Sequence, residues 1–331
     1  MRASATRWAC AFAACCLLSG AFAQTPAIVI KFSHVVTNDT PKGQAALRFK
    51  QLAEQRTGGR VRVEVYPNST LYRDNEELEA LQLGAVQMLA PSLAKFGPLG
   101  IQEFEVFDLP FLFPDAAAVH KAEAGELGRR VLSALEARGI RGLAFWDNGF
   151  KVMSARTPLV NPSDFVGLKM RIEGSRVLDA QFRALGAKPL VMPFSDVLQA
   201  LKTGLVDGTE NTPSNLYTQQ LYEAQKHLTV SNHGYLGYAV IVNRQFWDEL
   251  PRDIRDTLES ALREVTEYEN AIAQQKNDEA LAKIRQARIT EVRALSDAER
   301  AAWKRALAPV YADAERRIGK SFIEAIRKSI E

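Results

Sequence analysis

Val61, Val63 and Val65 alternate with Arg60, Arg62 and Glu64. Successive side chains of a strand point to opposite faces, so this segment can bury only one side of a sheet. Its neighbours indicate what covers that side. Ile28 to Phe32 reads as a strand, and Thr40-Pro41 then supplies a capping hydroxyl and a proline in the first helical turn. Ala45, Phe49, Leu52 and Ala53 recur at helical spacing until Thr57-Gly58-Gly59 stops the helix. Asp74 with Glu77 has the spacing of a capping box before a short helix through Leu78, Leu81 and Gly84, and Val86 to Ala90 is a further strand. This βαβαβ rhythm predicts an α/β domain with a largely parallel sheet.

The rhythm returns in the second half with a different sequence, which predicts two lobes. Ile140 to Phe145 is a strand leading into Trp146-Asp147-Asn148-Gly149, and Phe150 to Ser154 follows as another. Then come the turn Asn161 to Asp164, a strand over Leu168 to Ile172 and a helix from Ser175 to Leu185. Ser195 is expected to cap a short helix ending at Gly204, and Val206-Asp207 begins one more strand, with a polar turn running to Pro213. After the strand Leu236 to Val242 the chain is helical. Pro251 opens a helix whose apolar face continues to about Ile284, long enough to span both lobes. Ser296 with Glu299 forms a second capping box, and a kink is expected at Pro309.

At the N-terminus, Arg2 and Arg7 precede an apolar run from Trp8 to Leu18 that is too short to cross a bilayer. Ala21-Phe22-Ala23 then offers the small residues a signal peptidase reads. A Sec-type signal peptide over 1–23, cut after Ala23, is therefore expected, with a soluble exported protein as the product. Cys10, Cys15 and Cys16 all lie in that segment, so the exported chain would have no disulfide, no thiol chemistry and no thiolate metal site. The full chain of 331 residues carries 42 basic and 39 acidic side chains. That balance lacks the cationic excess of a nucleic-acid binder.

Enzyme motifs are missing. His34, His120, His227 and His233 have no metal-ligand spacing, and no GxSxG or GxGxxG follows a strand. Gly319-Lys320-Ser321 has the ending of a P-loop, but position 314 is Ala. No metal and no cofactor is expected. What stands out is basic residues on strands. The period of two sends Leu168, Met170 and Ile172 to one face and Lys169 and Arg171 to the other, with Arg171 near the strand end, where open α/β sheets collect ligands. A guanidinium presents two parallel donors that match a carboxylate. Lys151 interrupts the apolar run Phe150 to Met153, and Asn211 lies in a polar segment where its amide can both donate and accept. Pattern alone also allows a solvated strand face for the two cations and a turn-forming role for Asn211.

These residues fall within motifs that resemble one family, the substrate-binding proteins of tripartite ATP-independent periplasmic (TRAP) transporters of the DctP type. The motifs are Phe32-Ser33-His34-Val35, Thr40-Pro41-Lys42-Gly43, Tyr66-Pro67-Asn68-Ser69, Phe107 to Phe111 and Trp146 to Lys151. They continue through Gly167 to Arg171, Met192 to Ser195, Val206 to Asn211 and His233 to Tyr238, so the resemblance covers nearly all of the chain after residue 23. It implies the two-lobed α/β fold of a periplasmic binding protein, with a ligand cleft between lobes and a long lobe-spanning helix. The expected division is 24–148 with 237–276 as lobe I and 149–236 with 277–331 as lobe II. On the family pattern Arg171 salt-bridges a ligand carboxylate, Asn211 orients it and Lys151 stands where many relatives carry a second basic residue. Phe194 and His233 match cleft-lining positions, and Ser92, Lys42, Tyr72 and Tyr235 are candidate contacts from the other lobe. Thr212 separates Asn211 from Pro213 where some relatives have the proline directly.

The resemblance implies a periplasmic solute-binding protein that takes up a small dicarboxylate (malate, succinate or fumarate) by lobe closure and passes it to TRAP membrane permease subunits. It is not itself embedded in the membrane. Arg171 would serve equally for a monocarboxylate such as a 2-oxo acid, pyroglutamate or a sugar acid. An enzyme acting on a carboxylate is a third possibility, opposed by the missing motifs.

Overall fold

The computed structural model describes residues 27–330. The expected signal peptide over 1–23, with its three cysteines, lies outside the described residues, as does Glu331. The strands in chain order are β1 Ile28–Ser33, β2 Val61–Tyr66, β3 Met88–Leu89, β4 Ile140–Phe150, β5 Val152–Ala155, β6 Lys169–Ile172, β7 Lys188–Val191, β8 Gly208–Asn211, β9 His227–Val230, β10 Tyr235–Asn243 and β11 Glu291–Ala294. They form two sheets. The first has the order β2-β1-β3-β10-β4 and the second β11-β9-β5-β8-β6-β7.

In the first sheet β1 pairs in parallel with β2 and β3, as the βαβαβ rhythm predicts, while β10 runs antiparallel between β3 and β4. The helix Pro41–Arg56 covers one face. Thr40 caps it by accepting from the Gly43 N–H at 3.1 Å, and Gly43 is needed because a Cβ there would lie 2.3 Å from Thr37 O. Phe32, Phe49, Trp146 and Val240 are buried between this helix, the sheet and the long helix Arg252–Ala287. At 36 residues that helix is about 54 Å long. It packs on the Pro41–Arg56 helix and β4, and farther along on the helix Pro213–Thr218. Among the described residues no helix is long and apolar enough to cross a membrane.

Two segments cross from one sheet to the other beside this helix: β4 into β5, and β9 into β10. Trp146-Asp147-Asn148-Gly149 does not end a strand, because β4 runs through it to Phe150. Gly149 (φ 102°) allows the passage, since a Cβ there would meet Asn277 Nδ2 at 2.6 Å. Asn277 also donates Nδ2–H to Asn148 O at 2.6 Å and accepts from the Ser214 N–H at 3.0 Å.

Other local expectations change for identifiable reasons. Gly208–Asn211 is a fully buried strand, not a polar turn, because its polar side chains find partners inside the protein. The edge strand β7 was not expected. The helix Val197–Thr203 begins after a short 3₁₀ turn and has no side-chain cap, so Ser195 does not cap it. The Asp74–Glu77 box does not form: the helix Glu77–Gln82 has no side-chain cap, and Asp74 is engaged elsewhere. The Ser296–Glu299 box does form. The helix it opens, Asp297–Ala314, runs through Pro309, and the irregularity comes at Glu315–Gly319 as a π turn.

Candidate functional site

A small cavity of about 20 Å³, room for roughly one water molecule, lies between the two sheets. Lys42, Ser92 and Lys95 reach it from elements packed on the first sheet, and Glu173, Phe194 and Asn211 from the second. Asn215 and Tyr238 complete much of its polar lining. Contacts across the gap surround it. Ser92 Oγ–H donates to Glu173 Oε2 at 2.7 Å, and the Phe194 N–H donates to Asp74 Oδ2 at 3.2 Å. Nearer the surface Arg73 pairs with Asp196, and Gln219 donates to Asn68 at 3.3 Å. The two layers are therefore drawn together around the cavity.

Arg171 on β6 is 1% exposed. Its Nε–H and Nη2–H both donate to Met192 O, at 3.0 and 2.9 Å, and its Cζ lies 5.6 Å from the centre of the Phe194 ring. The nearest carboxylate oxygen paired with it is Asp74 Oδ2, at 3.9 Å from Nη2. Burial alone would push the Asp74 carboxyl up. Lys95, 2.9 Å away, outweighs that together with Arg171 and the Phe194 N–H, and the carboxyl is held below its ordinary range.

Lys42 sits in the first turn of its helix, where the aligned peptide dipoles disfavour a cation. Its Nζ donates to Ala90 O at 3.0 Å and lies 3.6 Å from the centre of the Tyr238 ring. Burial lowers this amine to about 8, with Lys95 adding to the effect and Glu77 opposing it. Glu77 is itself pushed up by burial to about 7, against the pull of Lys95 and Lys42.

Lys151 points elsewhere. Its ammonium donates to Glu210 Oε1 at 2.6 Å, and both side chains are almost wholly buried. His233 Nε2 lies 2.7 Å from Glu210 Oε2, and its Nδ1 lies 2.7 Å from Ser231 Oγ. A carboxylate can only accept, so Nε2 carries the proton and Nδ1 accepts from the serine hydroxyl. Burial lowers the His233 pKa, favouring this neutral form. Burial would raise Glu210, but Lys151 and His233 overcome it and bring the carboxyl down to about 2. Asp108, nearby and fully buried, is pushed up by burial to about 7 against the pull of Lys151.

The structure thus brings Lys42, Ser92, Phe194 and Asn211 to one cavity, with Arg171 against the Phe194 ring. Asn211 Oδ1 accepts from Asn215 Nδ2 and the Thr212 N–H, both at 2.9 Å, while its own amide nitrogen has no partner among the described residues. Lys151 and His233 form a separate buried network behind β8. Tyr235 and Tyr72 do not line the cavity. Tyr235 is buried between Phe113 and Phe150 with its hydroxyl on Asp147, and Tyr72 is half-buried against the hydrophobic core. Sequence reasoning missed Asp74, Lys95, Glu173 and Glu210. Glu173 follows Arg171 by two positions, so strand periodicity could have placed it on the same side. Nothing local marks Lys95.

The DctP family profile, described as bacterial extracellular solute-binding protein, family 7, matches residues 32–317. The chain is 64% identical over 300 residues to a C4-dicarboxylate-binding periplasmic protein of Rhodobacter capsulatus, covering 91% of this chain and 90% of that protein. The fold superposes with a TM-score of 0.90 on a TRAP periplasmic solute-binding protein from Shewanella oneidensis with bound succinate, at 46% identity over 92% of this chain and 100% of that one. A corresponding protein from Pseudomonas aeruginosa with bound L-malate gives a TM-score of 0.84 at 45% identity, over 86% of this chain and 99% of that one.

Proposed function

Since the chain belongs to the DctP family of bacterial extracellular solute-binding proteins, we propose that it captures a C4-dicarboxylate between its two lobes and presents it to TRAP permease subunits in the membrane. It is a binding protein of a transporter and not an enzyme. The lobes in this reading are 24–148 with 237–276 and 149–236 with 277–331. The chain is exported to the periplasm and loses residues 1–23 on the way.

The observation that carries the ligand class is the buried Arg171 guanidinium. Its hydrogen bonds go to a neutral carbonyl, and among the described residues its charge is opposed within ion-pair reach only by Asp74, at 3.9 Å. A bidentate carboxylate would satisfy it better, because hydrogen bonds between charged groups are the stronger ones. In this reading one solute carboxylate meets Arg171 and Asn211, and the other meets Lys42, Ser92 and Lys95 from the opposite lobe. Lys151 and His233 hold Glu210 and so fix the strand that carries Asn211. Sequence similarity also supports a dicarboxylate, since the relatives described above at 64%, 46% and 45% identity are a C4-dicarboxylate-binding protein and proteins holding succinate and L-malate.

A cavity of about 20 Å³ is too small for a four-carbon diacid. Admission requires the lobes to part, breaking the Ser92–Glu173 and Asp74–Phe194 contacts. Titration calorimetry with succinate, L-malate, fumarate and pyruvate tests the proposal. The three diacids should bind at one site and Arg171→Lys should weaken them at least a hundredfold, while pyruvate should bind far less tightly. Preferential binding of pyruvate would replace the diacid by a monocarboxylate.

A further inference from the structure

A second recess, about 810 Å³, opens on the outside of the molecule. It lies where the segment Pro110–Pro114 meets the helices Asp297–Ala314 and Lys320–Ile330. Phe111, Leu307 and Ile330 supply apolar wall, while Arg300, Lys304 and Arg327 supply charge, and no carboxylate of the described residues lines it. The three cations form no ion pair among the described residues. Arg300 donates to Ser231 O at 2.7 Å, Lys304 Nζ lies 5.5 Å from the Phe111 ring centre, and the Arg327 guanidinium lies 4.5 Å from that of Tyr311. Two residues of the lining, Phe111 (φ 56°) and Asn232 (φ 45°), hold left-handed backbone without being glycine. Such conformations cost energy and persist where the surroundings enforce them.

We propose that this recess is a second binding site, for a small organic anion with an apolar body, such as a medium-chain or aromatic carboxylate. Its volume is that of an ordinary ligand pocket, and a mostly apolar wall with a few convergent charges is the usual pocket chemistry. A carboxylate head meets the cations, and the tail lies on Phe111, Leu307 and Ile330. An anion with no tail would gain only from exposed charges, which is little. The site is joined by hydrogen bonds to the buried network around Glu210, the strand neighbour of the cavity residue Asn211. Arg300 holds Ser231 O, Ser231 Oγ meets His233 Nδ1 at 2.7 Å, His233 Nε2 meets Glu210 at 2.7 Å, and Glu210 pairs with Lys151 at 2.6 Å. Ser231 to Gly234 is also the crossing from β9 to β10, so an anion on Arg300 bears on the segment that links the lobes.

Calorimetry with octanoate on the purified protein tests this, with octylamine as the probe of opposite charge and each titration repeated at saturating succinate. Octanoate should bind at one site with and without succinate, and octylamine should not bind. Lys304→Gln and Arg327→Gln should each weaken octanoate about two- to fivefold, the size of an exposed charge contact, and leave succinate affinity unchanged when octanoate is absent. Absence of octanoate binding, equal binding of octylamine, or displacement by succinate with no effect of the two substitutions would each overturn the proposal. So would a tenfold or greater gain in octanoate affinity on deleting Glu331, since the chain's own end would then be the occupant. Octanoate binding with these properties in a protein that ignores succinate would leave this site standing and remove the dicarboxylate reading instead.

Discussion

Asp74 Oδ2 lies 3.9 Å from Arg171 Nη2, beyond hydrogen-bond reach and within ion-pair reach, while accepting the Phe194 N–H at 3.2 Å. One carboxylate thus both opposes the charge of the guanidinium and holds the two lobes together. These roles are separable. Asp74→Asn keeps an acceptor for the Phe194 N–H and removes the negative charge that an incoming diacid must face, so succinate should bind several-fold more tightly by calorimetry. Asp74→Ala removes both and should weaken binding. The same sign for the two substitutions would refute this division.

The Lys151–Glu210 pair is buried at 2.6 Å. Removing one partner strands the other charge, which typically costs about 3–5 kcal/mol. Lys151→Met should therefore lower stability by that order in urea unfolding of the empty protein. The double substitution Lys151→Met with Glu210→Gln should recover most of the loss. A single substitution that unfolds at the parent's midpoint would show that water reaches the pair.

Lys42 in the folded protein titrates near 8 because it is buried, below its ordinary 10.5. The folded state therefore holds this proton less tightly than the unfolded chain, and the empty protein should gain stability from this group as pH rises from about 8 through 10.5. A dianion that needs the ammonium behaves oppositely. Succinate affinity should fall above about pH 8, and binding there should take up a proton, measurable as a buffer-dependent heat. Lys42→Met should abolish that pH dependence.

Asp108 titrates near 7 in the fold, against an ordinary 3.8. Its folded pKa is raised, so its stabilisation is complete below 3.8 and is lost as pH rises through 7. Asp108→Asn cannot ionise. It should raise stability on the order of 2 kcal/mol more at pH 8 than at pH 5, and melting curves at the two values check this.

Residues whose role is set by near neighbours were legible. Thr40 and Ser296 are helix caps because the N–H groups they satisfy are three positions away, and Pro251 stands immediately before the long helix as expected. Residues whose role depends on a distant partner were not. Asp74 has the spacing of a cap, but a lysine and an amide far along the chain outbid the helix for its carboxylate. The run Asp207 to Asn211 is polar enough to suggest a turn. It becomes a buried strand because Lys151, His233 and Asn215 satisfy its side chains from other elements. Local strand periodicity and amide chemistry single out Arg171 and Asn211, but their ligand roles come from the family resemblance, since pattern alone also allows a solvated face and a turn. The acidic residues that balance the cavity's charge were not legible, since their effect exists only once the lobes meet.

Asn277 bonds with one amide to both Asn148 O and the Ser214 N–H, on a rod of about 54 Å that lies against both halves of the molecule. The same helix also bonds the Trp146 indole through Thr266 and the Asp147 N–H through Glu269 and Asn270, so the place where the chain passes from one sheet to the other is tied to a stiff beam at several neighbouring points. If the lobes part to admit a solute, as proposed, the pivot belongs there.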